Sequence, residues 1–400
     1  MLTLLALFAC LPPLPTAQAP APAREAVQQS AEGQAPGSGA PPATATPTAA
    51  NKDEAWFDRE LADRCTAAAE RGLAWLAKQQ LESGAWTGLV GHKMQDDYHI
   101  LDRGLSLDTQ RRRGVGHLGV TSIAGMAFLA GGYLPDRGRY RSAVRRAEDF
   151  VISHSDENGL LSSAGTRMYS HAFATLFLAE IYGMAANDRT KGTLERAVNL
   201  IVDSQNQHGG WRYNAFDRAT DLSVTVCQLQ ALRAARNIGI RVPSTTVQRA
   251  MSYVRKSRVP NGYDRGQFYY KIYGRGSYQK SREYAINAAA MTALASAGVY
   301  DDDLSDPVLS FLEKEYGTVS DYYSTHFYFW YGNYYAAQAF YQYGGRRLRS
   351  FYQRLANDLL ESQADDGRWR NRVGPGDELG TAMACILLQM PRQYLPIFQR

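Results

Sequence analysis

The chain repeats itself six times, and this internal repetition constrains its fold more than any other feature of the sequence. In the strongest copies a basic residue is followed, at offsets of 5, 9, 13 and 15, by an aliphatic residue, Gln, Gly and Trp. Strong copies begin at Arg71, Arg196 and Arg354, weaker ones at Arg146 and Arg249, and a degenerate one at Pro307. The origins lie 47 to 75 residues apart, which indicates consecutive units of similar structure.

Each unit predicts two helices. The first is amphipathic, as in 141–151, and ends at the Gln-x-x-x-Gly-x-Trp segment, where Gly supplies left-handed backbone. We expect the Gln to bond to free backbone groups at the helix end and the Trp to fold back over it. The second helix is rich in small and apolar residues, as in 121–130, and is therefore buried on most faces. The predicted second helices span 119–130, 170–182, 222–237, 284–297, 331–341 and 380–390.

Six outer and six inner helices predict an all-α protein, a closed (α/α)6 toroid of six helical hairpins over residues 56–400. The last inner helix is apolar along 381–388 and needs a covering partner, which closure onto the first repeat supplies. An open solenoid is the alternative, but it would need polar caps at both ends.

The first 55 residues are predicted to lie outside the fold. Residues 1–19 resemble a signal or lipoprotein segment: the apolar run 2–8 is too short to span a bilayer, and 17–19 form a small-residue cleavage site. If residues 1–19 are a bacterial lipoprotein segment, Cys10 would carry a lipid and associate the protein with a membrane. Residues 20–55 form a Pro/Ala-rich linker that cannot bury enough surface to fold. We expect an exported protein, periplasmic or membrane-anchored; a disordered tail with an apolar start is the alternative.

Charge and cysteine usage exclude two further classes. The net charge of +5 is too small and too dispersed to indicate nucleic-acid binding. Cys65, Cys227 and Cys385 lie in apolar helical patterns without a Cys-x-x-Cys pair, so we predict buried free thiols and no disulfide framework.

The three strong copies resemble the QW motif of squalene–hopene and oxidosqualene cyclases. More broadly they are similar to the prenyltransferase and squalene-oxidase repeat, which also builds protein prenyltransferase β subunits. The resemblance covers residues 60–392 and implies the toroid. It also implies a hydrophobic, isoprenoid-type ligand in a central aromatic funnel, which the protein would bind or transform.

The catalytic motifs of those families are incomplete here. Class II terpene cyclases carry an acidic Asp-x-Asp-Asp motif at the start of an inner helix; the nearest stretch runs from Asp217 to Asp221 and lacks the adjoining carboxylates. Asp221 is the best candidate acid, followed by Asp217 and Glu283. Protein prenyltransferases hold zinc with an Asp-x-Cys pair, and Ser223 stands where that thiolate would be. We therefore predict no metal and no cofactor, and whether the chain is an enzyme stays open.

The connections from outer to inner helices share one rim, so their side chains converge over the funnel. They carry His117, Tyr169, His171, Trp211, Tyr213, Asp217, Asp221, Glu283, Tyr284, His326, Trp330, Tyr331, Asp377 and Glu378. From these we predict that the ligand contacts Trp211, Tyr213, His117, His171, Tyr284, Trp330 and Tyr331. Aromatic faces stabilise cations and stack on sugars, and a carboxyl group in an apolar funnel has a raised pKa and can donate a proton. For each residue alone, a helix cap, an ion pair or a satisfied core position is the alternative.

Two other functions fit the sequence: an exported (α/α)6 carbohydrate-active enzyme that binds a glycan, and a non-catalytic binding scaffold. Tyrosine bears on the choice, because 16 of the 25 lie in residues 263–343. A deep apolar funnel with Asp221 at its end would favour the isoprenoid. An open groove with two exposed carboxylates would favour sugar, and a funnel filled by tyrosines would favour the scaffold.

Overall fold

A computed structural model of the chain describes residues 57–88, 91–94, 97–100, 116–163, 166–274, 283–299, 302–320, 329–371 and 375–398. The predicted signal segment, the linker, Cys10 and His326 lie outside the described residues. What the sequence predicts for these residues therefore stays a prediction.

Twelve α-helices, counted over the described residues, alternate between outer and inner positions. The outer helices are α1 (Arg59–Gln79), α3 (Arg141–Ser153), α5 (Asp188–Asp203), α7 (Ser244–Lys256), α9 (Asp302–Ser320) and α11 (Gly345–Ser362). The inner helices are α2 (Leu118–Ala130), α4 (Met168–Met184), α6 (Leu222–Asn237), α8 (Tyr284–Ser296), α10 (Phe329–Tyr343) and α12 (Asp377–Leu388). All six predicted inner helices are present, with ends that differ from prediction by at most three residues.

Three short elements accompany the helices. The insertion between α1 and α2 contains an antiparallel hairpin of β1 (Gly91–Met94) and β2 (Asp97–Ile100). Two 3-10 segments, Met390–Arg392 and Pro396–Phe398, follow α12. None of the helices in the described residues has the combination of length and apolar character required to cross a bilayer.

Burial separates the two rings of helices as the sequence pattern predicts. Every residue of α2 is buried, whereas α3 buries one stripe that includes Val144, Ala147 and Val151 and leaves its other face exposed. An apolar stripe at this spacing faces the core of the protein, and a helix that is apolar all round must be enclosed. The inner helices are enclosed by the outer ring on one side and by each other.

The inner helices form a closed ring. Each packs against the next in the order α2, α4, α6, α8, α10, α12, and α12 packs in turn against α2. The amide of Gln389, just after α12, donates to the carbonyl of Ala127 in α2 at 3.0 Å. The predicted (α/α)6 toroid is therefore confirmed, and the open solenoid is excluded.

The Gln of each strong motif copy joins one unit to the next. Its Nε2 donates to the carbonyl of the motif Gly and to a carbonyl of the following outer helix. These second acceptors are Ala143 for Gln80 (2.9 Å), Thr246 for Gln205 (2.8 Å) and Ala68 for Gln363 (2.9 Å). Because Ala68 belongs to α1, the bond that links successive units also closes the ring.

The motif Trp fixes the end of its own outer helix, as predicted. The indole Nε1 donates to the carbonyl ten positions earlier, at 2.8 Å for Trp86 and 2.7 Å for both Trp211 and Trp369. All three indoles are buried. Cys65, Cys227 and Cys385 are also buried and free, as expected.

Candidate functional site

Asp221 begins the third inner helix, α6, and its two carboxylate oxygens have different surroundings. The Oδ1 atom accepts hydrogen bonds from the backbone N–H of Val224 at 3.0 Å and from the hydroxyl of Ser223 at 2.7 Å. The side chain is fully buried. Its Oδ2 atom accepts no hydrogen bond in the described part of the chain. Asp221 is therefore a helix cap, and one of its oxygens has no hydrogen-bond partner among the described residues.

Backbone hydrogen bonds gather three other segments around Asp221. The N–H of Asp221 donates to the carbonyl of Trp211 at 3.1 Å, and the N–H of Leu222 donates to that of Tyr270 at 2.9 Å. The N–H of Met168, at the start of α4, donates to the carbonyl of Tyr213 at 3.0 Å. Residues far apart in the chain are thus fixed at one point of the rim by main-chain contacts.

Four tyrosines surround the acid, and with Asp221 and Ser223 they form what we call the Asp221 cluster: Asp221, Ser223, Tyr169, Tyr213, Tyr270 and Tyr331. The hydroxyl of Tyr169 bonds to that of Ser223, and the hydroxyls of Tyr213 and Tyr270 lie 2.7 Å apart. The hydroxyl of Tyr331 donates to the carbonyl of Ser223 at 3.0 Å. All four tyrosines are half-buried, whereas Asp221 and Ser223 are buried beneath them.

The cluster favours an uncharged acid. Burial raises the pKa of Asp221 above its usual range, and the N–H of Val224, the hydroxyls of Ser223 and Tyr270 and the charge of Arg212 offset this only in part. Burial, followed by the nearby Asp221, also raises the pKa of Tyr169 well above its ordinary value. Because Oδ1 already accepts two hydrogen bonds, the proton of the neutral acid belongs on Oδ2. The arrangement can therefore present a carboxylic acid beneath aromatic rings.

The two predicted histidines lie outside this cluster, in core positions. Nδ1 of His171 accepts from the N–H of Leu161 at 3.1 Å, and its Nε2 donates to the carbonyl of Ala197 at 3.2 Å. Nδ1 of His117 accepts from the N–H of Val120 at 3.2 Å and caps α2. Burial lowers the pKa of each imidazole to about 4, so both are neutral near pH 7.

Three of the predicted aromatic contacts pack inside the protein, away from the Asp221 cluster. Trp211 and Trp330 are each 2% exposed, and the ring of Trp330 lies edge-on to Phe329. The hydroxyl of Tyr284 donates to Oδ1 of Asn333 at 2.8 Å. Of the predicted contact residues, the structure therefore brings only Tyr213 and Tyr331 together with Asp221.

The other rim carboxylates are separate from Asp221. Oδ1 of Asp217 accepts from the N–H of Ala219 at 3.0 Å within its own loop, and Glu283 is half-buried at the start of α8. Glu378 accepts from the hydroxyl of Thr87 at 3.0 Å. None of these hydrogen bonds includes Asp221. Over the described residues, no three His, Cys, Asp or Glu side chains group closely enough to hold a metal ion.

Sequence reasoning missed Tyr270 as part of the site. It follows the turn between Arg258 and Phe268, which pair across an isolated bridge, and no repeat position marks it. Only the high tyrosine content of 263–343 pointed to this region. The packing of that loop against the start of α6 brings Tyr270 to Asp221.

Below the cluster, side chains of α10 reach across the lumen. In a ring of six helices α10 lies opposite α4, yet the rings of Tyr334 and Phe173 are 6.0 Å apart. The thiol of Cys227 in α6 lies 3.2 Å from the hydroxyl of Tyr335. Deeper still, the amide of Gln230 donates to that of Gln338 at 2.6 Å. Tyrosines and glutamines therefore fill the lumen on the side of α4, α6 and α10. The Asp221 cluster lies above these side chains, nearer the rim.

No family model matches the chain, and no curated protein matches it. Among solved structures, it is similar to a variant of the type II terpene cyclase MstE from Scytonema in complex with geranylgeranyl dihydroxybenzoate. The two are 12% identical, with a TM-score of 0.55, over 85% of this chain and 100% of the other. It is also similar to an inactive variant of an α-1,6-mannanase from Salegentibacter in complex with α-1,6-mannotriose, at 7% identity and a TM-score of 0.58, over 82% and 99% of the two chains. A glycoside hydrolase family 76 mannosidase from Bacteroides thetaiotaomicron is 9% identical, with a TM-score of 0.57 over 82% of this chain and 97% of its own. At these identities the likeness shows the α/α toroid fold, which hosts both terpene cyclases and glycosidases.

Proposed function

We propose that the Asp221 cluster binds an apolar, isoprenoid-type molecule and that Asp221 donates a proton to it. One observation carries this proposal: Asp221 is fully buried, and its Oδ2 has no hydrogen-bond partner in the described residues. Tyrosine rings surround it, and no other carboxylate of the described residues is bonded to it. The similarity to MstE is in keeping with such a ligand but reaches only the fold.

The proposed step is general acid catalysis. Oδ2 transfers its proton to a carbon–carbon double bond or an epoxide oxygen, and a cation forms on the ligand. The faces of Tyr169, Tyr213 and Tyr270 stabilise that cation. The carboxylate left on Asp221 keeps its bonds from Ser223 and Val224 and lies at the N-terminus of α6. Loss of a proton from the product cation back to Asp221 restores the acid, so the step needs no co-reactant.

Glycoside hydrolysis is the second candidate function, and the positions of the carboxylates favour it less than proton donation to an isoprenoid. Most glycosidases hold two carboxyl groups about 5 to 10 Å apart on either side of the scissile bond. Here the loop carboxylate Asp217 bonds within its own turn, and Asp221 is covered by tyrosines. Ligand binding without catalysis, as a scaffold, is the third candidate function, and the side chains that fill part of the lumen support it.

Deuterium transfer tests the acid role directly. We would extract purified protein with organic solvent and identify co-purified molecules by mass spectrometry, then incubate the protein with those molecules, geranylgeraniol or squalene in D2O. We expect a co-purified isoprenoid and a product labelled with one deuterium by the wild type. Asp221→Asn should abolish labelling, because an amide cannot supply the proton. Asp203→Asn, at an exposed position near the end of α5, is the matched control.

Three results would count against this function. Absence of any isoprenoid from the extract, together with no bound geranylgeraniol or squalene, would remove the ligand class. Saturable binding of α-1,6-mannotriose that Asp221→Asn weakens would assign the site to a glycan instead. Isoprenoid binding without deuterium transfer would leave a scaffold.

A further inference from the structure

Arg212 is a second polar group of the rim without a hydrogen-bond partner among the described residues. Its side chain is half-buried, its Nη1 atom is buried, and no hydrogen bond or ion pair engages this guanidinium in the described part of the chain. The guanidinium carbon lies 5.0 Å from the centre of the Tyr213 ring. Buried donors in native proteins are nearly always paired, and a charged donor is the most costly to leave unpaired.

Arg212 lies beside the Asp221 cluster. It directly follows Trp211, whose carbonyl accepts from the N–H of Asp221 at 3.1 Å. It stacks on Tyr213, whose hydroxyl bonds to that of Tyr270. The Arg212 charge acts on the carboxyl group of Asp221, yet no ion pair joins the two side chains. Guanidinium and acid therefore border the same part of the rim without neutralising each other.

The charge balance of this pair indicates what the ligand carries. Burial raises the pKa of the Asp221 carboxyl group and so favours its uncharged form. The guanidinium of Arg212 carries a positive charge, so with the acid in that form the pair has a net charge of about +1. An uncharged ligand would leave that charge and its buried Nη1 donor unsatisfied. An anionic oxygen group would satisfy both.

We propose that the ligand of the Asp221 cluster carries an anionic head group, a carboxylate or a phosphate, which Arg212 binds. This inference rests on the proposed function and adds a polar end to its apolar ligand. Arg212 anchors the head group, and the apolar part extends over the tyrosine rings toward Oδ2 of Asp221. Because a guanidinium matches the oxygens of both anions, carboxylate and phosphate share this chemistry.

Three probes with the same apolar tail separate the head group from the tail: farnesol, farnesoic acid and farnesyl monophosphate. Their affinities would be measured by quenching of intrinsic fluorescence at low salt. The wild type should bind at least one anionic probe about tenfold or more tighter than farnesol, since a hydrogen bond to a charged group contributes roughly that factor. Added salt should reduce this preference because it screens the charge. Comparing the two anionic probes identifies which anion the site prefers.

Variants of Arg212 test whether this residue is responsible. Arg212→Gln should remove the preference for the anionic probe over farnesol, while Arg212→Lys should retain part of it. Arg370→Gln is the matched control, because Arg370 follows Trp369 as Arg212 follows Trp211 but is exposed. It should change no affinity.

The outcomes separate this inference from the proposed function. Equal affinity for all three probes, or a preference that survives Arg212→Gln, overturns the anionic head group and leaves the isoprenoid site intact. No measurable binding of any probe overturns both.

Discussion

Single buried ionisable groups determine how this protein responds to pH. The neutral His117 and His171 have pKa values lowered to about 4 by burial, so the unfolded chain takes up more protons below about pH 6.5 and stability falls as the solution is acidified. Glu180 on α4 behaves in the opposite way. Burial raises the pKa of its carboxyl group to about 8, an effect that the N–H of Ile397 and the charge of Arg233 only partly offset.

Glu180 should therefore cost stability at alkaline pH. Between about pH 4.5 and pH 8 the folded protein binds a proton that the unfolded chain releases, so stability falls as pH rises. Its neighbours in a small polar cavity include Gln230, Arg233 and Gln338. We expect Glu180→Gln to melt at about the wild-type temperature at pH 4.5 and above it at pH 8.5.

Thermal melts followed by circular dichroism over this pH range check the prediction. Glu157→Gln, at an exposed loop position, should track the wild type throughout. A Glu180→Gln variant that loses the same stability at both pH values would show that the carboxylate is needed for packing rather than penalised by burial.

Among the elements, the turns that end two of the outer helices show two separate reasons for glycine. Gly209 has φ of +89°, and a Cβ atom there would lie 2.4 Å from the carbonyl oxygen of Arg249 in the next outer helix. Gly262 occupies the same motif position in a weaker copy and has φ of +90°, but a Cβ atom there would meet nothing within 4 Å. Comparing Gly209 with Gly262 therefore separates the cost of a left-handed backbone from the cost of a close contact between units.

Substitution of each glycine by alanine should therefore have unequal effects. Gly262→Ala should lower the free energy of unfolding by about 1 kcal/mol, for the left-handed backbone alone. Gly209→Ala should cost about 3 kcal/mol, because the clash with the Arg249 carbonyl adds to that strain. Urea unfolding of both variants measures the difference. Equal losses of unfolding free energy in the two variants would mean that the contact between Gly209 and Arg249 can widen at no energetic cost.

For the whole molecule, the decisive property is that the six units form a ring. Gln363 of the last unit donates to Ala68 in α1 as Gln205 donates to Thr246 in α7. The ring gives every inner helix two inner neighbours, so the apolar α12 packs between α10 and α2 and is covered outside by α1. This is the physical reason for closure: an open array would expose the last helix to water.

Closure predicts that the last junction is as important as an internal one. Gln205→Ala removes one bond within the motif and one between units, and Gln363→Ala removes the same two and a further bond between units that Arg71 donates to its Oε1. Each substitution should cost about 1 to 3 kcal/mol of unfolding free energy. Urea unfolding of the two variants provides the comparison. If Gln363→Ala leaves the free energy of unfolding nearly unchanged while Gln205→Ala lowers it, the prediction that the last junction stabilises the ring as much as an internal one is wrong.

Part of the site could be read from local sequence, and part could not. Asp221 opens an inner helix, so both its capping role and its position on the rim were predictable from the repeat. His171 and Trp211 are in equally suggestive positions, yet their ring nitrogens bond to the carbonyls of Ala197 and Ile201 in the neighbouring outer helix. Rim position alone does not show whether a side chain points toward the lumen or between helices, because a helix turns 100° per residue.

The repeat by itself determined the helices and their order, because periodic burial and a glycine stop are local properties of the chain, and it favoured the closed ring over an open solenoid. Only the tertiary structure decided which side chains meet. Tyr270 and Arg212 reach Asp221 through loops whose course no periodicity describes, and Tyr334 crosses the lumen toward Phe173. Whether a buried acid keeps its proton depends on the burial and the partners that these long-range contacts create, and neither is encoded at the position of the acid alone.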